Sequence, residues 1–160
     1  MSRSARRPEI QRAVLDTNIW LDWLVFDNAE IAPLKAAHSA GRLSLTINPP
    51  CLAELARVLA YPLGRFTLDA AARDRAQAAC LACAALESPM ADATPLPTCH
   101  DADDQKFLEL TRDCGAHWLI TRDRDLLMLA RSRALPLPFR IVTPRTFAAA
   151  LREPAPTHPT

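Results

Sequence analysis

Short apolar segments alternate with longer amphipathic segments along most of this chain. Four apolar runs of strand length occupy residues 12–16, 43–47, 117–120 and 140–142. The segments between them carry apolar residues at helical spacing or residues that favour helix starts. Strands that are separated by helices predict a parallel sheet with helices on both of its faces. We therefore expect an α/β fold, a three-layer α/β/α sandwich with a central parallel sheet.

Capping residues and helix breakers set the expected helix boundaries. Thr17 or Asn18 is expected to cap the first helix. Thr67 is expected to cap a long Ala-rich helix that ends near Leu86. The apolar stripe of this long helix is predicted to consist of Leu68, Ala72, Ala76, Ala79, Cys83 and Leu86. Other helices are predicted at residues 31–40, 51–60, 104–114, 125–133 and 147–151.

Both ends of the chain are expected to lie outside a single folded domain. We expect a basic arm at residues 1–11, the domain at 12–152 and a disordered Pro-rich tail at 153–160. Five cysteines, an odd number, favour a reducing compartment over a disulfide framework. No apolar run approaches the ~20 residues that span a bilayer, and the basic arm lacks the apolar core of a secretory signal. These features predict a cytoplasmic protein.

The net charge of +1 favours no particular class of partner. Arginine dominates the basic residues, since only Lys35 and Lys106 of the 19 are lysines. Arginine suits phosphate binding because its planar fork donates two hydrogen bonds at once. A GC-rich genome would produce the same bias, and the two explanations carry similar weight.

Aspartates stand where the apolar runs stop. Asp16 directly follows the first predicted strand, and Asp123 follows the third. The carboxyl ends of parallel strands share one edge of a sheet, where ligands bind. Carboxylates that converge there repel each other unless a cation lies among them, so this placement predicts a divalent metal site. Taken alone, Asp16 could equally be a turn or helix-capping residue.

The helical wheel adds further acids to this site. Glu54 points away from the apolar face of its helix, which by itself predicts a solvated side chain, but it lies one turn into the helix that follows the second strand, beside the same edge of the sheet. Asp104 shares the inward face of its helix, and Asp101 is a candidate supporting ligand one turn earlier. Asp103 is predicted to be exposed. Asp125 is predicted to cap the next helix, which leaves Asp123 as the ligand.

All of these donors are oxygens, which suit Mg²⁺ or Mn²⁺ better than zinc. Such ions stabilise charge on a phosphoryl group during hydrolysis. With only three glycines the chain has no Gly-rich phosphate loop, so phosphodiester hydrolysis is the expected chemistry. A zinc site is a weaker alternative because its ligand pairs lack a knuckle turn. Its ligands would be Cys80, Cys83, Cys99 and His100.

Five short motifs in this order resemble those of PIN-domain nucleases, and specifically the VapC-like toxin components of bacterial type II toxin-antitoxin systems. They span residues 13 to about 151. They are Val14-Leu15-Asp16-Thr17-Asn18; Pro49 through Glu54-Leu55, with Val58-Leu59 and Tyr61-Pro62; Cys99 through Asp101, with Asp104 and Lys106-Phe107-Leu108-Glu109-Leu110; Thr121 with Asp123, Asp125, Leu126 and Leu127; and Thr143-Pro144 with Phe147.

This resemblance implies a PIN-like sandwich and an Mg²⁺- or Mn²⁺-dependent endoribonuclease. It also implies a homodimer and a cognate antitoxin protein that blocks the site. The implied catalytic and metal-binding acids are Asp16, Glu54, Asp104 and Asp123, with Asp101 as a further metal ligand. Contacts to the RNA substrate are expected from Thr17, Asn18, Lys106, Thr121, Arg122 and Arg124.

The chain departs from the usual pattern of this branch near two of the motifs. Around the third acid, His100 and Ala102 replace frequent Arg and Pro, and Asp103 stands where a basic residue is common. Arg122 replaces a frequent Gly after Thr121. None of these changes removes an expected metal ligand, but they could alter the binding of the substrate.

Three other functions remain in competition with an RNA-cleaving toxin. A stand-alone RNA-processing PIN nuclease would lack an antitoxin, and a PIN-like RNA- or protein-binding module would lack catalysis. A phosphatase with an aspartyl nucleophile is disfavoured because Asn18 replaces the second aspartate that it needs. The first helix carries many large apolar residues between Trp20 and Phe26, which predicts a dimer or antitoxin surface.

Overall fold

Five parallel strands form the centre of the molecule in a computed structural model that describes residues 9–88, 92–132 and 136–153. Their order across the sheet is β3-β2-β1-β4-β5. This arrangement confirms the predicted α/β fold with a central parallel sheet. The strands are β1 (Gln11–Leu15), β2 (Leu43–Ile47), β3 (Ala84–Leu86), β4 (Trp118–Ile120) and β5 (Arg140–Val142).

Seven α-helices connect the strands or follow them within the described residues. The first continues into a π-helical segment, Asp22–Phe26, and a short 3-10 turn, Ala102–Asp104, precedes the fifth. The helices are α1 (Thr17–Leu21), α2 (Ala32–Ser39), α3 (Pro49–Leu59), α4 (Ala70–Cys83), α5 (Gln105–Asp113), α6 (Arg124–Leu129) and α7 (Pro144–Arg152). None of the described helices is long and apolar enough to cross a membrane.

The order in which successive strands are added to the sheet reverses between β1 and β4. From β1 the chain proceeds to β2 and β3 on one side, then returns to β4 and β5 on the other. Leu15 lies beside Ile120 in the paired register of β1 and β4. The carboxyl ends of two such strands leave a crevice between the loops that follow them, and this crevice is the usual ligand site of open α/β sheets.

The strands are covered on both faces and are therefore almost continuously apolar. In β1, Ala13, Val14 and Leu15 are all buried, and α5 packs against both β1 and β4. The largest fully buried side chains are Trp20, Phe107 and Phe147. This core holds the carboxyl edge of β1 and β4 in a fixed position, so the groups that follow those strands are placed by rigid elements.

The long Ala-rich helix differs from its prediction at both ends. Asp69, rather than Thr67, caps α4, since its carboxylate accepts a hydrogen bond from the Ala72 N–H. The segment predicted as the last helical turn is instead β3, which pairs with β2. Helical periodicity did not reveal this strand because three residues are too few to show an alternating pattern.

The buried stripe of α4 also differs from the predicted one. Ala76 and Cys80 are buried, whereas Ala79 and Leu86 are exposed. Leu86 is not part of the stripe because the helix ends at Cys83, so Leu86 follows strand rather than helix geometry.

The predicted domain limits can be compared with the structure only in part. Gln11, assigned to the basic arm, is the first residue of β1. Residues 1–8 of the predicted arm and 154–160 of the predicted tail lie outside the described residues.

Candidate active site

Asp16 lies at the crevice between the carboxyl ends of β1 and β4. It follows β1, and its backbone N–H donates to the Ile120 carbonyl at the end of β4 (3.0 Å). Asp16, not Thr17 or Asn18, is the N-cap residue of α1, but its side chain makes no capping hydrogen bond. The carboxylate is 5% exposed. It is thus a buried acid that the local helix does not use.

Thr121 joins the ends of β1 and β4 through its hydroxyl group. The hydroxyl donates to Oδ2 of Asp16 (2.6 Å) and accepts from the backbone N–H of Asp123 (2.9 Å). Thr121 is fully buried. This hydroxyl fixes the orientation of one predicted ligand and the backbone of another.

Glu54 is held in the site by neighbours from α1 and α5. The Thr17 hydroxyl donates to Oε2 of Glu54. The Lys106 ammonium lies 2.9 Å from Oε1, and the Arg57 guanidinium lies 3.8 Å from the same atom. Only 13% of the Glu54 side chain is exposed. The wheel prediction of a solvated glutamate is therefore wrong, because α1 and α5 cover this polar side of α3.

Asp104 is a half-buried carboxyl group at the start of α5. Burial raises its pKa to about 6, with further contributions from the charges of Asp16, Asp123, Asp101 and Glu54. Asp101 caps the short turn before it by accepting from the Asp103 N–H (2.9 Å). Asp103 is exposed, as predicted.

Asp123, the predicted ligand, has the helix-capping role that was predicted for Asp125. Its carboxylate accepts from the Leu126 N–H (3.0 Å), so Asp123 is the N-cap of α6. Asp125 lies in the first turn and is exposed. The prediction that Asp125 is the cap is wrong, because α6 begins at Arg124 and its cap, Asp123, lies two residues earlier than the predicted one.

The acids are close enough to perturb one another. Burial is the main cause that raises the pKa of Asp16, and the charges of Glu54 and Asp123 raise it further. Among the described residues, however, no three acidic, histidine or cysteine side chains already form a metal-binding group. Glu54, Asp101 and Asp123 each accept a hydrogen bond from a protein donor.

Two buried thiols border the acids and were not predicted as part of the site. Cys51 lies one turn before Glu54, and burial raises its pKa to about 12. Burial likewise raises the pKa of Cys99 to about 11, with the charge of Asp104 next in importance. Both thiols therefore stay protonated at neutral pH, and the ionised donors of the site are carboxylates.

This combination of fold and acidic edge agrees with a comparison of the sequence with family models, in which the model of the PIN domain matches residues 12–125. The chain belongs to the PIN-domain family. The match includes every acid described above, from Asp16 to Asp123. A comparison with curated proteins gives no match. PIN domains are generally metal-dependent nucleases.

Five of the six predicted substrate-binding residues of this PIN domain fall into two groups. Thr17, Thr121 and Lys106 contact the acids directly. Asn18 and Arg124 are exposed beside the site, and neither side chain has a hydrogen-bond or ion-pair partner among the described residues.

Arg122, which was predicted to contact RNA, forms ion pairs within the protein. Its guanidinium pairs with Asp22 in the π-helical segment and, at 2.9 Å, with Glu30. Asp22 is buried, and no local pattern around it indicated a partner 100 positions away. An RNA phosphate would have to compete with two carboxylates for Arg122, whereas it could approach Arg124 directly.

This difference predicts unequal effects of two matched arginine substitutions. We expect Arg124→Gln to weaken RNA binding and to reduce the slope of log Kd against log salt by about 0.7, which corresponds to one lost phosphate contact with a single strand. Arg122→Gln is expected to leave that slope unchanged and to lower stability by about 1 kcal/mol. Fluorescence anisotropy at several salt concentrations and thermal melting measure the two effects. A larger salt effect for Arg122→Gln would contradict the assignment.

Proposed function

We propose that this PIN domain is an endoribonuclease that depends on Mg²⁺ or Mn²⁺ and uses Asp16, Glu54, Asp104 and Asp123. One observation carries the proposal: the carboxyl group of Asp104 lies among four other acids, and burial, together with the charges of those acids, raises its pKa to about 6. A fold gains no stability from collecting acids in a half-buried crevice. Such a cluster is useful when it binds a cation.

The donor set fits a hard divalent cation. Its ionised donors are carboxylate oxygens, which Mg²⁺ and Mn²⁺ prefer. The residues that would hold the ion are the four acids, with Asp101 as a further ligand. When bound, the ion would polarise the scissile phosphate and lower the pKa of a coordinated water. Oε1 of Glu54 would become available to the ion only if the Lys106 ammonium moved away from it, whereas the capping hydrogen bond of Asp123 uses only Oδ1.

Neighbouring hydroxyl groups would orient these acids, and nearby basic side chains would bind the RNA. Thr121 directs one oxygen of Asp16, which leaves the other available to a ligand. Thr17 likewise directs Oε2 of Glu54, whose Oε1 is paired with Lys106. Lys106 and Arg124 supply positive charge for phosphates on the two sides of the acids. The prearranged groups lower the cost of reorganisation during the reaction.

The test of this function is cleavage of a labelled structured RNA by the purified protein. We expect cleavage in Mg²⁺ or Mn²⁺ and none in EDTA, with recovery when the metal is restored. A DNA of the same sequence is included to examine the preference for RNA. Cleavage that persists in EDTA would contradict metal dependence.

We further propose that the protein is the toxin of a toxin-antitoxin pair and forms a homodimer. The support is the apolar segment after Asp16. Trp20 and Leu21 are buried, but Phe26 is 40% exposed and contacts the half-exposed Phe66, with ring centres 5.8 Å apart. Exposed aromatic pairs are typical of protein interfaces.

The dimer is tested by sedimentation velocity of the purified chain. We expect the mass of a dimer for the wild type and of a monomer for Phe26→Ser. Met128→Ser is the matched control, since Met128 is 67% exposed on α6 and outside this surface. A wild-type monomer at all accessible concentrations would contradict the homodimer, and co-purification with the product of an adjacent small gene would then test the antitoxin surface separately.

A further inference from the structure

Lys106 places a positive charge inside the acidic cluster. Its ammonium group donates to Oε1 of Glu54 (2.9 Å) and to the backbone carbonyl of Asp103 (2.7 Å). Its side chain is 21% exposed, compared with 58% for Arg57, the other cation near Glu54. Among the described residues, these two are the basic side chains within ion-pair distance of any of the four acids.

The position of the Lys106 ammonium is set by the helix that carries the residue and by two hydrogen-bond acceptors. It lies in the first turn of α5, two residues after Asp104. The Asp103 carbonyl holds the ammonium from the loop side, and Glu54 holds it from α3. The ammonium therefore takes one of the oxygens that a metal ion would need.

We propose that Lys106 is a built-in counter-ion that stabilises Glu54 in the metal-free protein and competes with the divalent cation for it. This inference rests on the proposed metal-dependent function and concerns the regulation of the same site. A positive charge close to the ligands opposes the entry of a second positive charge. Metal binding releases the ammonium from Glu54 while the Asp103 carbonyl still holds it near the site. The released ammonium is then available to an RNA phosphate, so that metal and substrate bind in a coupled way.

Removal of the charge at residue 106 is expected to tighten metal binding. We expect Lys106→Gln, which removes the charge and keeps a hydrogen-bond donor, to bind Mn²⁺ at least about tenfold more tightly than the wild type, equivalent to about 1.4 kcal/mol. Lys106→Met should show the same tightening. In EDTA, the melting temperature of Lys106→Met is expected to fall because Glu54 loses its partner. Isothermal titration calorimetry with Mn²⁺ alone and thermal melting measure these effects.

Arg57→Met is the matched control. Arg57 approaches the same oxygen of Glu54, but it is exposed and more distant, so solvent screens its charge. We expect its Mn²⁺ affinity to stay within about twofold of the wild type. A structural disturbance at Lys106 would weaken metal binding, and only the removal of a competing charge tightens it.

The outcomes separate this inference from the proposed function. Unchanged or weaker Mn²⁺ binding in Lys106→Gln, with normal binding and RNA cleavage in the wild type, overturns the counter-ion alone. If Lys106→Met fails to fold, Lys106→Gln decides the question. If neither the wild type nor the Lys106 variants bind Mn²⁺, both the proposed function and the counter-ion fail.

Discussion

Asp16→Asn is expected to lower the rate of RNA cleavage at least about a thousandfold. Stabilisation of charge by a catalytic metal is worth several kcal/mol, and each ~1.4 kcal/mol changes a rate tenfold. Asparagine keeps the shape of the side chain and can still accept from Thr121, but it removes the negative charge that a cation requires. Initial rates of cleavage of the labelled RNA in Mn²⁺ measure the effect.

The stability of the same variant separates loss of function from loss of fold. Burial raises the pKa of Asp16, which means that the folded protein disfavours its charged form. Neutral asparagine removes this penalty, so Asp16→Asn should melt in EDTA at the same temperature as the wild type or higher. Asp125→Asn is the control, since it removes an exposed acid from α6. Full cleavage by Asp16→Asn, or equal losses in both variants, would refute the assigned site.

Thr121→Val is expected to reduce cleavage about 10- to 100-fold, although Thr121 is not a predicted metal ligand. The substitution preserves shape and removes the hydroxyl that donates to Asp16 and accepts from the Asp123 N–H. Loss of groups that orient metal ligands typically has an effect of this size. The part-buried N–H of Asp123 and the buried carboxylate of Asp16 also lose a partner, so the free energy of unfolding should fall by about 2 kcal/mol. Chemical denaturation and cleavage rates measure the two losses.

Thr143→Val provides the comparison for Thr121. Thr143 also follows a strand at this edge, but its hydroxyl caps α7 by accepting from the Thr146 N–H. We expect a loss of about 1 kcal/mol in stability, as for other lost caps, with little change in the cleavage rate at a temperature where the variant stays folded. Similar losses of activity in both threonine variants would mean that stability alone explains the effect of Thr121→Val.

The strand ends could be predicted because the signals are local. Ala13 to Leu15 is a continuous apolar run that stops at an acid, and this pattern requires no knowledge of distant residues. Likewise, the spacing of strands and helices predicts the parallel sheet. The short strand β3 could not be found in this way, since its three residues have no periodicity of their own and are strand only because β2 pairs with them.

The role of Glu54 illustrates the limit of a helical wheel. The wheel separates the apolar face of α3 from the opposite side, and it places Glu54 correctly away from Leu55 and Leu59. It does not show that Thr17 and Lys106 cover the opposite side. The environment of a polar helix face depends on elements 37 and 52 residues away.

The sequence by itself determined the alternation of strands and helices and the order of acids that ends at Asp123. These depend on apolar periodicity and on residues adjacent in the chain. Tertiary structure decided which charges face each other: Lys106 meets Glu54, whereas Arg122 turns to Asp22 and Glu30. The physical reason is that an ion pair requires two side chains to meet in space, and the packing of helices on the sheet brings together groups that no local pattern relates.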